Sequence, residues 1–199
     1  MAAGPGLEGG ELLGFRCRDC GECCRLHIPV NDSDLRRLSA GTGMDARDIV
    51  QFVGRAAIVD PDDYDGWIRM GPGPGAAGGE MMMCLREAHG RCLFRRESRC
   101  AVYDHRPSVC RLHPLDVTLS ESGRRIEKIE AYDPCSCAGA LDGHVDENDL
   151  LRLKRRSERE DAAYEESIRI WNAGGGGSAG EFFECLGLTG TLRADAAGD

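Results

Sequence analysis

The chain has 199 residues, of which 41% are hydrophobic and 6% aromatic, with 27 glycines and a formal net charge of -9. That length suits one domain with a modest appendage, and the thin apolar content favours a loop-rich fold stiffened by cross-links or metal. Acidity makes nucleic acid and anionic lipid poor default partners, and no run of about 18 apolar residues is present to span a bilayer.

Residues 1–13 are glycine-rich and are expected to fray. Met1 to Gly14 has no basic start, apolar core or cleavage-site pattern, so the protein is expected in the cytoplasm, where thiols stay reduced. Leu26, Ile28 and Val30 alternate with Arg25, His27 and Pro29, which predicts a short strand, held to an edge by the proline. Asn31, Asp32 and Ser33 offer a cap for a helix through Leu38, with Gly41 and Gly43 as the stop. Asp45 caps a second predicted helix, carrying Ile49, Val50, Phe52 and Val53.

Trp67–Met70 and Met81–Cys84 read as paired strands around the glycine/proline loop Gly71–Gly79. Val117–Leu119 and Arg125–Ile129 flank Glu121-Ser122-Gly123 as a hairpin. Glu147–Asn172 reads as one long helix with Leu150, Leu153, Tyr164, Ile168 and Trp171 on a broken apolar stripe. Gly174–Gly180 reads as a linker, and Glu181–Leu186 as a last helical turn docked on the core. These elements predict an α+β class: a small, loop-rich, metal-stabilised domain over residues 14–140 with short strands, then a C-terminal helical segment at 141–173 and a tail at 174–199.

Eleven cysteines in a reducing compartment point to metal before disulfides. Cys17, Cys20 and Cys23 are spaced by two residues, an interval that lets successive sulfurs face one point. The same interval serves zinc knuckles and the opening of bacterial ferredoxin loops, but the fourth ferredoxin cysteine is missing here. Cys24 follows Cys23 directly; neighbouring side chains diverge, so different roles or centres are expected for the two, with a strained vicinal disulfide as the rival. A second group runs through Cys92, Cys100 and Cys110 to Cys135 and Cys137, with Cys84 before it. One site takes four thiolates, so two centres are allowed by count. Cys185 is expected to be a buried small apolar residue.

The nearly all-thiolate donor set favours an iron–sulfur cluster, of the 4Fe–4S kind, over zinc. So does the run of positive charge at Arg86, Arg91, Arg95, Arg96, Arg99, Arg106 and Arg111, since cations and N–H donors beside sulfur stabilise an anionic cluster. For zinc, Cys24-x2-His27 and Cys110-x2-His113 offer mixed sulfur and nitrogen sites. No phosphate-binding glycine loop, dinucleotide turn or nucleophile elbow is present. Arg152, Lys154, Arg155, Arg156 and Arg159 form a basic run beside Glu158, Glu160 and Asp161, which reads as a salt-bridged, solvated helix face.

Cys17-x2-Cys20-Gly21-x-Cys23-Cys24, then Cys92, then Cys100-x2-Tyr103-x2-Arg106-Pro107-x2-Cys110-Arg111-x2-Pro114, resembles the YkgJ-type cysteine-cluster family, the CxxCxxCC zinc- or iron-chelating domain. The resemblance implies metal binding. Within that motif Tyr103 is expected to pack beside the cluster and anchor its hydroxyl, and Arg106, held extended by Pro107, to aim its guanidinium across the site. Arg111 is expected to donate to sulfur or to bind an anion. A related branch, the flagellin lysine N-methylases, carries a similar cluster, which makes a cluster-dependent protein-modifying enzyme the alternative to a structural or redox protein. A structural module of this kind would bind a protein partner.

Overall fold

The computed structural model describes residues 13–14, 20–72, 78–97, 99–131, 143–144 and 146–188, starting at β1 (Leu13–Gly14). A 3-10 turn at Cys23–Arg25 leads into the predicted strand. Ile28 and Val30 are buried there and Leu26 is exposed. The segment forms a bridge rather than a strand, with Pro29 opposite Cys84. Val30 N–H donates to the Met83 carbonyl at 3.0 Å and Leu85 N–H to that of Ile28 at 2.8 Å. Pro29 has no N–H to extend the ladder.

Helix α1 (Asp32–Thr42) is set by its ends. Asn31 Oδ1 accepts from Asp34 N–H at 2.8 Å while the Asp34 carboxylate accepts from Asn31 N–H, which satisfies two orphan donors at once. Gly43 closes the helix at φ 72°, where a side chain would be strained. Helix α2 (Ala46–Ile49) starts at the predicted Asp45 cap but lasts one turn. Its expected continuation is instead β2 (Val50–Gly54). The β-branched run fits a pleated surface better than a helix, and it finds a ladder to join.

Strands β2 and β3 (Ile68–Met70) pair antiparallel with the two edges of β4 (Gly79–Leu85), giving the order β2-β4-β3. Val50 lies opposite Leu85 and Ile68 opposite Met81. Two very short hairpins follow: β5 (Glu87–Ala88) with β6 (Arg91–Cys92), and β7 (Arg95–Arg96) with β8 (Arg99–Cys100). His89 and Gly90 both take positive φ in the first turn, as a tight two-residue hairpin loop requires. After α3 (Ser108–Leu112), the predicted hairpin forms from β9 (Leu115–Leu119) and β10 (Ile126–Ala131). Strand β11 (Gly143–His144) pairs antiparallel with β1.

Helix α4 (Glu147–Ala173) is the long predicted helix, capped by Asp146, and α5 (Ala179–Cys185) is capped by Ser178 with Glu181 at its third position. Both join the main core. Phe182 is fully buried, with ring centroids 5.3 Å from Trp171, 6.2 Å from Phe52 and 6.5 Å from Tyr164. Leu35, Leu38, Ile49, Ile68 and Met83 complete its floor. The glycine segment between α4 and α5 is pinned to the sheet: Gly71 N–H donates to the Gly177 carbonyl at 2.8 Å, and a Cβ at Gly176 would stand 2.2 Å from the Arg69 carbonyl oxygen. Asn172 ties α4 to the same edge, accepting from Arg69 N–H and donating to the Trp67 carbonyl, both at 2.7 Å.

A polar network locks α4 to α1. Asp34 is buried and accepts from Ser108 N–H at 3.0 Å and from Arg37. Arg37 also donates twice to Glu160 at 2.8 Å. Asn31 Nδ2 and Ser157 Oγ donate to the two oxygens of Asp161, at 2.8 Å and 3.1 Å. Among the described residues no helix is long and apolar enough to cross a membrane.

Candidate metal centre

Three local devices bring cysteines together. The first is the 3-10 turn, begun by Gly21 at φ 77°, in which Cys24 N–H donates to the Gly21 carbonyl at 3.2 Å. It carries Cys23 and Cys24. The second is the pair of hairpins, which deliver Cys92 on β6 and Cys100 on β8, with Arg95 directly across from Cys100. The third is α3, which carries Cys110. Cys92 is part of the main core, and Cys24, Cys100 and Cys110 pack against it half-buried.

Electrostatics show that these sulfurs feel one another. Cys24 is lowered from 9.0 to about 6, first because the Cys23 thiol donates to it. Burial opposes that shift, and the Arg95 guanidinium, as charge and as donor, and the Arg106 charge reinforce it. Cys92 is pushed up to about 11 by burial, against a bond from Phe94 N–H, with Cys24 and Cys100 as further negative neighbours. Burial also drives Cys110 up, helped by Cys92, Cys100 and Cys24 and resisted by Arg106. Without a cation, then, one thiolate sits at Cys24 while its neighbours resist a second negative charge.

The hydrogen bond between Cys23 and Cys24 brings the adjacent thiols closer than diverging neighbours would come. A 3-10 turn rotates successive side chains by about 120° rather than 180°, so neighbours can meet. Cys20 is exposed on the approach to the turn. Cys17, Cys135 and Cys137 lie outside the described residues. Among the described residues, no three Cys, His, Asp or Glu side chains already close into a metal-sized cage. The donor chemistry nonetheless fits a thiophilic metal: the facing groups are sulfur, and their protons are the charges a cation would displace.

Tyr103 stacks on Arg106. It is 46% exposed, and its ring lies under the Arg106 guanidinium at 3.7 Å. Arg106 is held by that stack and by its Nε donating to the Tyr103 carbonyl at 3.1 Å, and its charge reaches both Cys24 and Cys110. Arg111 donates to the Asp104 carbonyl rather than to sulfur. Burial lowers its pKa, and Arg37, Arg106 and Arg156 lower it further.

Of the two histidines of the mixed-ligand reading, His27 faces a carboxylate. His27 Nδ1 lies 2.6 Å from Glu87 Oε1, an ion pair when the imidazole is protonated. That oxygen is buried and, among the described residues, accepts no hydrogen bond, so His27 is the cation placed to compensate it when protonated. His113 is half-buried, and burial lowers its pKa. Cys84 lies in a separate small core with Val53, Trp67 and Met82, and burial, then Glu87, pushes it up to about 12. Cys185, expected to be buried, is exposed at the end of α5, because Phe182 and Phe183 take the inward face.

Arg95 is the residue that spacing could not single out among its neighbours. Its role depends on the hairpin register and on Gly21, whose missing Cβ leaves room for the guanidinium. Gly21 inside the cysteine motif was the available signal.

The chain matches no curated protein and no solved structure at a significant level. Residues 16–138, more than half of the chain, match the CxxCxxCC family, described as a putative zinc- or iron-chelating domain, and the chain with its arginine-flanked thiols belongs to that family.

Proposed function

We propose that this protein binds an iron–sulfur cluster, of the 4Fe–4S kind, in a structural or redox role, with Cys24 as the first thiolate of the ligand set. The carrying observation is Cys24 itself, ionised by Cys23, Arg95 and Arg106 and within electrostatic reach of Cys92, Cys100 and Cys110. Cys17, Cys20, Cys135 and Cys137 are proposed to complete the set. Joining the two groups would close a long loop and couple metal binding to folding.

Iron is favoured over zinc because the assembled donors are thiols while His27 engages Glu87. Arginine charge beside sulfur is also what an anionic cluster needs. When bound, such a cluster supplies one-electron redox capacity or a cross-link. The chain's own part is to hold thiolates, to place Arg95 and Arg106 beside them, and to shield Cys92 and Cys110 from water.

Purification without oxygen, followed by metal and acid-labile sulfide analysis and visible absorption, tests this reading. A brown protein with iron and sulfide, losing both in Cys24→Ser, is the expected result. A colourless protein with stoichiometric zinc assigns the thiols to a structural zinc site instead. A folded, metal-free protein from both aerobic and oxygen-free preparations overturns metal binding altogether.

A further inference from the structure

Arg152, Arg155, Arg156 and Arg159 stand at i, i+3, i+4 and i+7 of α4 and so share one face. Arg111 of α3 joins them, and the five line a single open groove of about 620 Å³. Like charges at these spacings repel and weaken the helix that carries them. An ordinary solvated face would interleave the signs, as Lys154 and Glu158 do on the same helix.

The protein answers this charge only in part. Among the described residues Asp149 is the one carboxylate in the groove wall, and it pairs with Arg152. Glu160 lies at 2.7 Å from Arg156 but is shared with Arg37 of α1. Arg111 and Arg155 donate to the carbonyls of Asp104 and Gly123, which orient the guanidinium groups without neutralising them. Arg159 has no ion-pair or hydrogen-bond partner among the described residues. All this occurs in a chain whose formal net charge is -9.

We propose that this groove binds a compact, multiply charged phosphate ligand of the di- or triphosphate class, gripped by Arg111, Arg152, Arg155, Arg156 and Arg159. Guanidinium forks match phosphate oxygens two at a time, and every cation here is Arg rather than Lys. Among the described residues the wall holds Leu153 as its apolar side chain and no aromatic ring, so bases find no stacking platform there. A nucleic acid strand, longer than the groove, would also be repelled by a chain of net charge -9. A compact anion escapes both difficulties. Because Arg111 follows Cys110 in the chain, the bound phosphate would lie close to the candidate metal centre, yet the groove is built without it.

Titration calorimetry of the full chain as purified, with inorganic tripolyphosphate as the probe and metal content measured in parallel, tests the assignment. Saturable one-site binding is expected for the wild type. Arg159→Gln and Arg152→Gln should each weaken it about tenfold, the scale of one lost charge-assisted hydrogen bond. Lys154→Gln, which removes the same charge outside the groove, should leave it unchanged. Any of four results overturns the proposal: no binding by the wild type, equal loss in Lys154→Gln, binding undiminished in both Arg159→Gln and Arg152→Gln as chelation of a bound metal would be, or tighter binding of a single-stranded oligonucleotide than of tripolyphosphate. Circular dichroism of the variants separates lost binding from lost fold.

Discussion

The guanidinium of Arg95 lies over Gly21 so closely that a Cβ at residue 21 would stand 2.7 Å from Arg95 Cζ. Gly21 also sits at φ 77°, so the turn and the close approach both require glycine there. Gly21→Ala should therefore push Arg95 away from Cys24 as well as strain the turn. In metal-free protein the Cys24 pKa should rise from about 6 toward 9.0, read from the pH dependence of its alkylation by mass spectrometry. Arg95→Ala should give part of the same rise without touching the turn. An alkylation profile unchanged in both variants would mean that Cys23 alone sets the ionisation. The depressed pKa also has a stability consequence. It strengthens the metal-free fold above the ordinary thiol value of 9.0, and that contribution fades as the pH falls through about 6.

Arg37 joins Asp34 to Glu160 with its side chain 19% exposed and that of Asp34 only 4%. Burial raises the Asp34 pKa, opposed by Arg37 and by the N–H groups of Ser108 and Asn31. Arg37→Ala would leave a buried carboxylate without its cation, a change that costs about 3–5 kcal/mol in comparable sites. Urea unfolding at neutral pH should show that loss. A carboxyl raised in the fold costs nothing once protonated in both states, so the deficit should shrink as the pH is lowered toward 3.8. Adding Asp34→Asn to Arg37→Ala should recover part of it at neutral pH, and an equal deficit at both pH values would assign the loss to Glu160.

The elements read correctly from sequence are those marked at both ends. Asn31 and Gly43 bracket α1, and Asp146 opens an apolar stripe that runs the length of α4. The run from Ile49 to Val53 was misread because its apolar positions fit either period, and the deciding partner, β4, lies thirty residues onward. In the same way the cysteine spacing reveals which sulfurs are available but not what surrounds them. That Arg95 faces Cys100, and that Tyr103 lies under Arg106, follows from a hairpin register and a stack that no local pattern encodes.

Phe182 tests whether the C-terminal segment is part of the fold. It is fully buried against rings from β2 and α4, although the glycine-rich stretch 174–177 precedes its helix in the sequence. Phe182→Ala should cost about 3–5 kcal/mol, the range for a buried aromatic truncated to alanine. Calorimetric unfolding should remain a single transition at lower temperature. A second, independent transition would instead mean that α5 melts apart from the sheet.

Cys84 and Cys185 provide the controls for the metal assignment. Cys84 is 0% exposed among Val53, Trp67 and Met82, and burial and Glu87, not arginine, set its ionisation. Cys84→Ala should retain the metal and lose some packing stability. Cys84→Ser places a hydroxyl in the same apolar pocket and should destabilise by about 1–3 kcal/mol if the hydroxyl stays unpaired. The thiol also sets a limit at high pH. Raised to about 12, it contributes fully below 9.0, and the stability is lost as the pH rises through the interval between them. Cys185→Ser, at an exposed helix end, should change neither metal content nor unfolding. Cys20→Ser should lose metal. Loss of metal from Cys84→Ala with the fold intact would move that sulfur into the ligand set and require the three-stranded sheet to open toward the centre.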